Sequence, residues 1–314
     1  MKQKLLLISF VLCLVLMGFA SSNVSASSGV AAYYVGPGES YKVTLNGAEW
    51  FITNKTASTI FIPARTLAEQ QSFINNAPSG VAVNYFIACP SNNTFTDSRD
   101  GNVYPTVQIG SQCWMAKNLA YLPSVVGSGT GSETTPYYYV YGYQGTNVYD
   151  AKATSNYTTH GVLYNYPAAM SACPYGWKLP TDTEWNVLEQ YVVDRIGSTN
   201  PHQYTCSTSE TGWQRCADNT GTDQGANGVG QALKESGLGS GVGLGTNLVG
   251  FSSKLSGIRY TDSSFNNMGS DTGFWSSREW YSLAWYRILR TSNSTVGRDN
   301  SSKAYGFSVR CLLE

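Results

Sequence analysis

Asp97 and Asp100 bring two carboxylates together in the stretch DSRDG. A hard cation such as calcium collects clustered carboxylate and carbonyl oxygens. The twelve-residue calcium-loop pattern is absent around them, and Asp-Gly between two strand-like runs reads as a turn. Asp97 and Asp100 are thus the only metal candidates, with a turn as their expected role; no metal and no other cofactor is expected. Acid–base chemistry would need a different set. Glu184 and Glu189 are five apart on a helix, so they do not share a face, and Glu184 has a capping role. His160 ends the stretch Tyr157-Thr158-Thr159-His160 and reads as a loop or packing residue; His202 follows Asn200-Pro201 and reads as solvated. A nucleophile needs a nearby base and a third, orienting group, and no such set is found, so no catalysis is expected. Recognition chemistry is better represented. Trp275, Arg278, Trp280, Tyr281, Trp285, Tyr286 and Arg287 crowd into one short stretch. Trp, Tyr and Arg dominate binding hot spots because they bring rigid area and polar tips at little entropy cost. Trp275 and Trp285 lie in strand-like runs and are expected in the core. Arg278, Trp280 and Tyr281 lie between those runs, where a loop or hairpin would expose them. Trp213, between Cys206 and Cys216, is the second exposed candidate.

The redox setting of the cysteines follows from the N-terminus. Met1-Lys2-Gln3-Lys4 is basic, Leu5 to Ala20 is mainly apolar, and Val24-Ser25-Ala26 fits a small-x-small cleavage pattern. This predicts a signal peptide over residues 1–26, and hence a secreted or cell-surface protein with no membrane span once it is removed. Cys13 leaves with that peptide. Cys89, Cys113, Cys173, Cys206, Cys216 and Cys311 remain, an even set that suggests disulfides with fifteen possible pairings. A short loop favours Cys206–Cys216. Cys89–Cys113 would clamp the start of the main domain, and Cys173–Cys311 is then left over. In the chain-entropy view that last bridge would contribute roughly 4–5 kcal/mol. Zinc is disfavoured, because no C-x2-C pair occurs and neither histidine is spaced as a ligand.

Composition narrows the function classes further. Charged residues make up 13% of the 314 residues, and Lys+Arg and Asp+Glu each number 20. A nucleic-acid binder would show a basic patch or stripe, and the balance gives no support for a polybasic membrane-surface role. The 32 Gly, 22 Tyr and 8 Trp suit an extracellular β-rich protein whose loops carry recognition.

The elements that must position these groups fall into two parts. Residues 27–88 read as a small β-rich module: strands at Tyr41–Leu45 and Trp50–Thr53 around an Asn46-Gly47 turn, another at Ile60–Pro63, and a helix at Thr66–Asn75. Residues 89–314 read as the main domain. Val103–Met115 gives two strands, and Tyr137–Tyr143 an aromatic strand. Tyr164–Ala172 is a short helix, followed by the strand Trp177–Pro180. Thr181 then caps a helix with Glu184 as the reciprocal partner. Trp185, Leu188, Val192 and Ile196 make its apolar stripe, and Gly197 ends it. The glycine-rich stretch that follows carries a short helix at Val229–Ser236. The C-terminal part is β-rich, with strands at Gly250–Ser253, Gly257–Tyr260, Phe274–Ser277, Ala284–Arg290 and Gly306–Leu312.

Seven blocks occur in order: TFTDSRDGNVYPTVQIGSQCWMAKNLAY (94–121), GVLYNYPAAM (161–170), CPYGWKLPTDTEW (173–185), GFSSKLSGIRY (250–260), FWSS (274–277), AWYRIL (284–289) and GFSVRC (306–311). Together they resemble the Fibrobacter succinogenes major paralogous domain over roughly residues 90–313. The resemblance implies an α+β, C-type-lectin-like fold with long loops and disulfides, related to the formylglycine-generating-enzyme fold, preceded here by the small β-rich module. In such folds the first helix ends at a cysteine bonded to the last strand, which maps onto Cys173 and Cys311. Cys113 departs from the pattern, standing where an apolar residue is usual, and suggests an added Cys89–Cys113 bridge; Tyr166 stands where Trp is expected. Residues 49–73 resemble modules that precede such domains in exported bacterial proteins. The calcium-binding triplets of the lectins of this fold are absent, and the oxidase relatives' reactive cysteine pair is reduced to Cys311. The expectation is an exported, non-catalytic binding or adhesion protein with a glycan or surface-protein ligand. A structural surface component assembling through the N-terminal module is the alternative, and a formylglycine-generating-type oxidase the third.

Overall fold

The computed structural model describes residues 32–35, 40–45, 48–54, 56, 58, 60–63, 69, 72–73, 75–86, 89–196 and 228–314. The chain forms two compact units, Met1–Tyr85 and Phe86–Glu314. In the first, β1 (Ala32–Val35) pairs antiparallel with β4 (Ile60–Pro63). A separate three-stranded sheet has the order β2 (Ser40–Leu45), β3 (Ala48–Asn54), β5 (Val81–Phe86). Leu45 lies opposite Ala48, the register a two-residue connection requires. Buried Asn54 closes β3: its carbonyl accepts from Thr56 N and its amide donates to Ser58 O. Glu69, Ser72, Phe73 and Asn75 are helical; the expected cap at Thr66 lies outside the described residues.

The second unit is built on two five-stranded sheets. One has the order β11 (Trp177–Lys178), β17 (Leu312–Leu313), β8 (Gln112–Met115), β7 (Val103–Ile109), β6 (Thr94–Thr96). The other has the order β13 (Phe265–Met268), β12 (Ser256–Arg259), β14 (Asp271–Trp280), β15 (Leu283–Arg290), β16 (Gly297–Ser302). A two-residue pair, β9 (Tyr138–Tyr139) with β10 (Leu163–Tyr164), lies outside both. Among the described residues five α-helices accompany them: α1 (Val148–Lys152), α2 (Ser155–His160), α3 (Tyr166–Ala172), α4 (Asp182–Ile196) and α5 (Val229–Leu233). The fold class is therefore α+β, with disulfides.

Local sequence explains the helices that matter. Asn165 caps α3 by accepting from Ala168 N, and Pro167 fits its first turn. Ala168, Ala169 and Ala172 are small enough to bury α3 completely on one side. At α4 the reciprocal cap forms: Thr181 N donates to Glu184 Oε2 at 2.8 Å and Glu184 N donates to Thr181 Oγ1 at 3.1 Å. Trp185, Leu188 and Val192 pack with Trp114, Phe251, Phe274 and Leu289 into one core cluster. Trp275, Phe307, Tyr164 and Tyr166 belong to the other, which also takes in both disulfides' buried ends at Cys113 and Cys311.

Cys89 and Cys113 are bonded at 1.98 Å, and Cys173 and Cys311 at 2.07 Å. The second bridge sits beside the pairing of Trp177 with Leu313 and Lys178 with Leu312, so it fixes the chain's end next to α3 and β11. Cys206 and Cys216 lie outside the described residues, as does the expected helix stop at Gly197.

Several expected strands are shorter or absent. Only Tyr138 and Tyr139 of the aromatic run are extended; Tyr143 N bonds back to Val140 O, and Gly142 turns the chain at φ 77. Gly250–Ser253 is not a strand. Ser252 takes φ 54 and gives its N–H to Asn247, while the buried Arg310 guanidinium takes the carbonyls of Phe251 and Ser252. Gly306–Leu312 makes only isolated bridges before β17. Conversely, α1, α2, β13 and β16 were not expected. Of these, β16 (GRDNSS) is polar and β13 (FNNM) is apolar only at its two ends, so neither carries an alternating apolar signal.

Candidate functional site

The aromatic cluster forms a bulged hairpin. Along β14 and β15, Trp275 faces Tyr286 and Glu279 faces Ala284. Four steps along β14 therefore span two along β15, and a bulge of this kind bends a strand and re-aims its side chains. Beyond it Trp280 pairs with Leu283, leaving Tyr281 and Ser282 as the turn. Tyr281 takes φ 53, an uncommon backbone for a bulky aromatic residue. Its side chain is 87% exposed, and Trp280 is 36% exposed. The Trp280 ring meets Tyr281 at 5.3 Å and Trp285 at 5.9 Å, both edge to face. Trp285 is buried, with the Arg298 guanidinium 3.6 Å from its ring centroid. A continuous aromatic run thus leads from the core to solvent. Trp275, as expected, is core; its Nε1 donates to Tyr164 O at 2.8 Å.

The base of the hairpin is locked by buried charges. Arg287 and Arg298 face each other directly on β15 and β16, and like charges in that position repel. Asp182, in the first turn of α4, answers both. Its Oδ1 accepts from Arg287 Nη1 at 2.6 Å, and its Oδ2 accepts from Arg298 Nη2 at 2.6 Å. Glu189 Oε1 accepts from Arg287 Nε at 2.6 Å, and Asn186 Oδ1 from Arg287 Nη2 at 2.7 Å. Burial alone would raise the Asp182 carboxyl. The charges and hydrogen bonds of Arg287 and Arg298 outweigh it and hold the group below the ordinary carboxylate range. For Arg298, burial acts against the charge, Asp182 supports it, and the like charges of Arg287 and Arg278 act against it again, leaving it lowered. Asp182, Asn186 and Arg298 were not singled out from the sequence; Glu189 was considered only as a partner for Glu184, and Arg287 only within the aromatic stretch. The available signal was Asp182, Asn186 and Glu189 at i, i+4 and i+7, which place three polar side chains on one helix face.

Between the start of α4 (Thr181–Thr183) and the hairpin (Ser277–Tyr281) lies an open cleft of about 620 Å³. Arg278, Trp280 and Tyr281, three of the four residues proposed from sequence, line it together; Trp213 lies outside the described residues. A family model described as the Fibrobacter succinogenes major domain matches residues 107–312, which include every residue of this cleft. The chain belongs to the Fibrobacter succinogenes major domain family. No curated protein and no solved structure matches it.

The other candidate residues in this family member are engaged elsewhere. Asp97 is fully buried and both its oxygens accept from Arg99, which also donates to Ala172 O at the end of α3. Burial opposes its charge, but the Arg99 bonds leave its carboxyl lowered. Asp100 accepts from Asn102 N and Nδ2 in the same turn. Glu184 completes the α4 cap and pairs with Lys178 at 2.7 Å, whereas Glu189 is buried in the ion network, so the two carboxylates act separately. His160, at the end of α2, places Nδ1 3.4 Å from Ser256 Oγ. Ser256 is only 1% exposed and accepts from Asn118 Nδ2, so its hydroxyl is shut off from solvent. Burial and the Lys254 charge push His160 down despite Glu235. Cys311 is buried in its disulfide. Among the described residues no group of three or more His, Cys, Asp or Glu is placed to hold a metal ion.

Proposed function

We propose that this chain is an exported, non-catalytic binding or adhesion protein whose second unit is a C-type-lectin-like domain that takes glycan or surface-protein ligands at the β14–β15 hairpin. The observation that carries the reading is Tyr281, a large aromatic side chain held in solvent on an unfavourable backbone. Strain of order 1–3 kcal/mol persists where the surroundings impose it and concentrates at functional sites. Trp280 beside it offers a second ring, and Trp285 and Arg298 brace both. Aromatic faces of this kind stack on sugar rings, and the cleft beside them offers hydroxyl, carboxylate and guanidinium groups. The Cys173–Cys311 bridge between the end of α3 and the last strand supports the lectin-like fold. Two disulfides and the leader-like residues 1–26 support export; no helix among the described residues is long and apolar enough to cross a membrane. The engagement of Cys311 speaks against the oxidase alternative.

The test is a glycan array and a surface-protein pull-down with the mature chain, repeated with Trp280→Ala and Tyr281→Ala. Binding that falls at least about tenfold in both variants, a loss of about 1.4 kcal/mol, supports the reading. Silence in both formats, or binding untouched by either substitution, overturns it. One observation favours a structural role for the first unit as a second reading. Strand β2 lies at an edge of its sheet, with β3 as its one partner among the described residues, and open edges recruit strands from other chains.

A further inference from the structure

The charged groups on the cleft wall are not all paired within the protein. Both carboxylates on its wall are answered: Asp182 by Arg287 and Arg298, and Glu279 by Lys303 at 3.0 Å. Glu189 is answered by Arg287. Arg278 lines the cleft, half-buried, and among the described residues no carboxylate pairs with it. Arg278 thus stands on the cleft wall, beside the exposed rings, as a guanidinium with no carboxylate partner among the described residues. Arg278 is close enough to Arg298 for the two charges to oppose each other, a cost that an arriving anion would relieve. A guanidinium presents a rigid, planar fork of donors that matches a carboxylate or sulfate. Trp280 and Tyr281 supply flat apolar area on the same wall.

Resting on the binding reading above, we infer that the cleft selects acidic saccharides: a pyranose ring stacks on Trp280 and Tyr281 while its carboxylate or sulfate ester pairs with Arg278. A neutral sugar would leave Arg278 with water alone. An acidic peptide would pair with Arg278 but would make less use of two flat rings held at the tip.

The experiment uses the mature chain on an array of oligosaccharides derived from pectin, alginate and glycosaminoglycans. Each uronate is printed both as the free acid and as its methyl ester, beside sulfated and neutral glycans and an acidic peptide series. The expected result is binding to the free acids or sulfates at least about tenfold tighter than to esterified or neutral partners, weakening as salt is raised. Arg278→Gln should remove that preference, and Arg278→Lys should restore part of it. Equal binding of acid and ester, or a preference untouched by Arg278→Gln, overturns the acidic specificity while leaving glycan binding standing. Binding confined to acidic peptides overturns the saccharide assignment. Silence toward every glycan and peptide overturns the specificity together with the binding reading beneath it.

Discussion

Replacing Asp182 by Asn should destabilise the second unit severely, and the network around it sets the size. The carboxylate is 2% exposed and accepts from Arg287 Nη1 at 2.6 Å and from Arg298 Nε and Nη2 at 2.9 Å and 2.6 Å. Asn keeps the shape but removes the charge that answers both facing guanidiniums. Breaking a buried ion pair by removing one partner costs about 3–5 kcal/mol, because the remaining charge stays desolvated. In a unit of this size each kcal/mol lowers Tm by about 2–4 °C, so a drop on the order of 10 °C is expected by scanning calorimetry. A double-mutant cycle with Arg298→Met should return at least about 1 kcal/mol of coupling, since removing one guanidinium relieves part of what the first substitution exposes. The acid limb of stability gives a second readout. Asp182's carboxyl is lowered in the folded state from its ordinary value of 3.8. Its contribution is therefore full above about pH 4 and is lost as pH falls through the depressed value, because the unfolded chain binds the proton more readily. The parent's advantage over Asp182→Asn should shrink on acidification below about pH 4. A variant within about 0.5 kcal/mol of the parent at neutral pH, with an unchanged acid limb, would refute the idea that this network locks the hairpin base.

Three further outcomes follow from the geometry. Cys173 and Cys311 are separated by 138 residues and Cys89 and Cys113 by 24, so in the chain-entropy model their removal by paired Ser substitution costs about 5 and about 3.5 kcal/mol; urea titration should rank them in that order, and the reverse order would contradict it. Gly230→Ala places a Cβ 2.2 Å from Thr295 O and 2.7 Å from Thr295 C. The obstacle is backbone, so a loss of about 1–3 kcal/mol is expected, and a neutral result would show that the β15–β16 connection moves freely. Lys234 is buried and donates to Arg290 O and Asn293 O at 2.6 Å and 2.8 Å, and burial lowers its ammonium to about 8. Below pH 8 both states hold the proton and the burial cost is full. Between about 8 and 10.5 the unfolded chain holds it more tightly, so the parent should gain stability relative to Lys234→Met as pH rises through that window; parallel pH curves would argue against the shift.

The parts of the fold legible in the sequence are those where short-range chemistry and apolar pattern agree. The cap of α4 needs only Thr181 and Glu184, three residues apart, and its stripe of Trp185, Leu188 and Val192 repeats at helical spacing; both are present. The β7–β8 hairpin and the start of β14 carry apolar residues in strand-like runs, and they form. Where the sequence misleads, a long-range partner decides. Phe251 and Ser252 look like strand residues, yet Arg310, almost sixty positions later, takes their carbonyls and removes them from any ladder. Strand β16 is polar and β13 has apolar residues only at its two ends, and their pairing with β12 and β15 supplies the order that their own residues do not signal.

The site divides along the same line. Arg278, Trp280 and Tyr281 could be proposed because they sit between two apolar runs that had to be strands, and a connection between strands faces water. The residues that hold them there could not be assembled the same way. Asp182, Asn186 and Glu189 share a helix face at i, i+4 and i+7, but beside an apolar stripe such a row reads as the solvated margin. Arg287 lies between Tyr286 and Ile288 on one strand and Arg298 between Gly297 and Asp299 on another, the latter unrecognisable as a strand. Each charge taken alone belongs at the surface, because burying it unpaired is costly. Only the register that sets Arg287 opposite Arg298, under the first turns of α4, makes two carboxylates and two guanidiniums mutually necessary. Arg278, inside the bulge of β14, stays out of that network. The specificity proposed for the cleft is therefore a consequence of pairing geometry, and shifting β14 by removing its bulge should abolish it even with every charged residue retained.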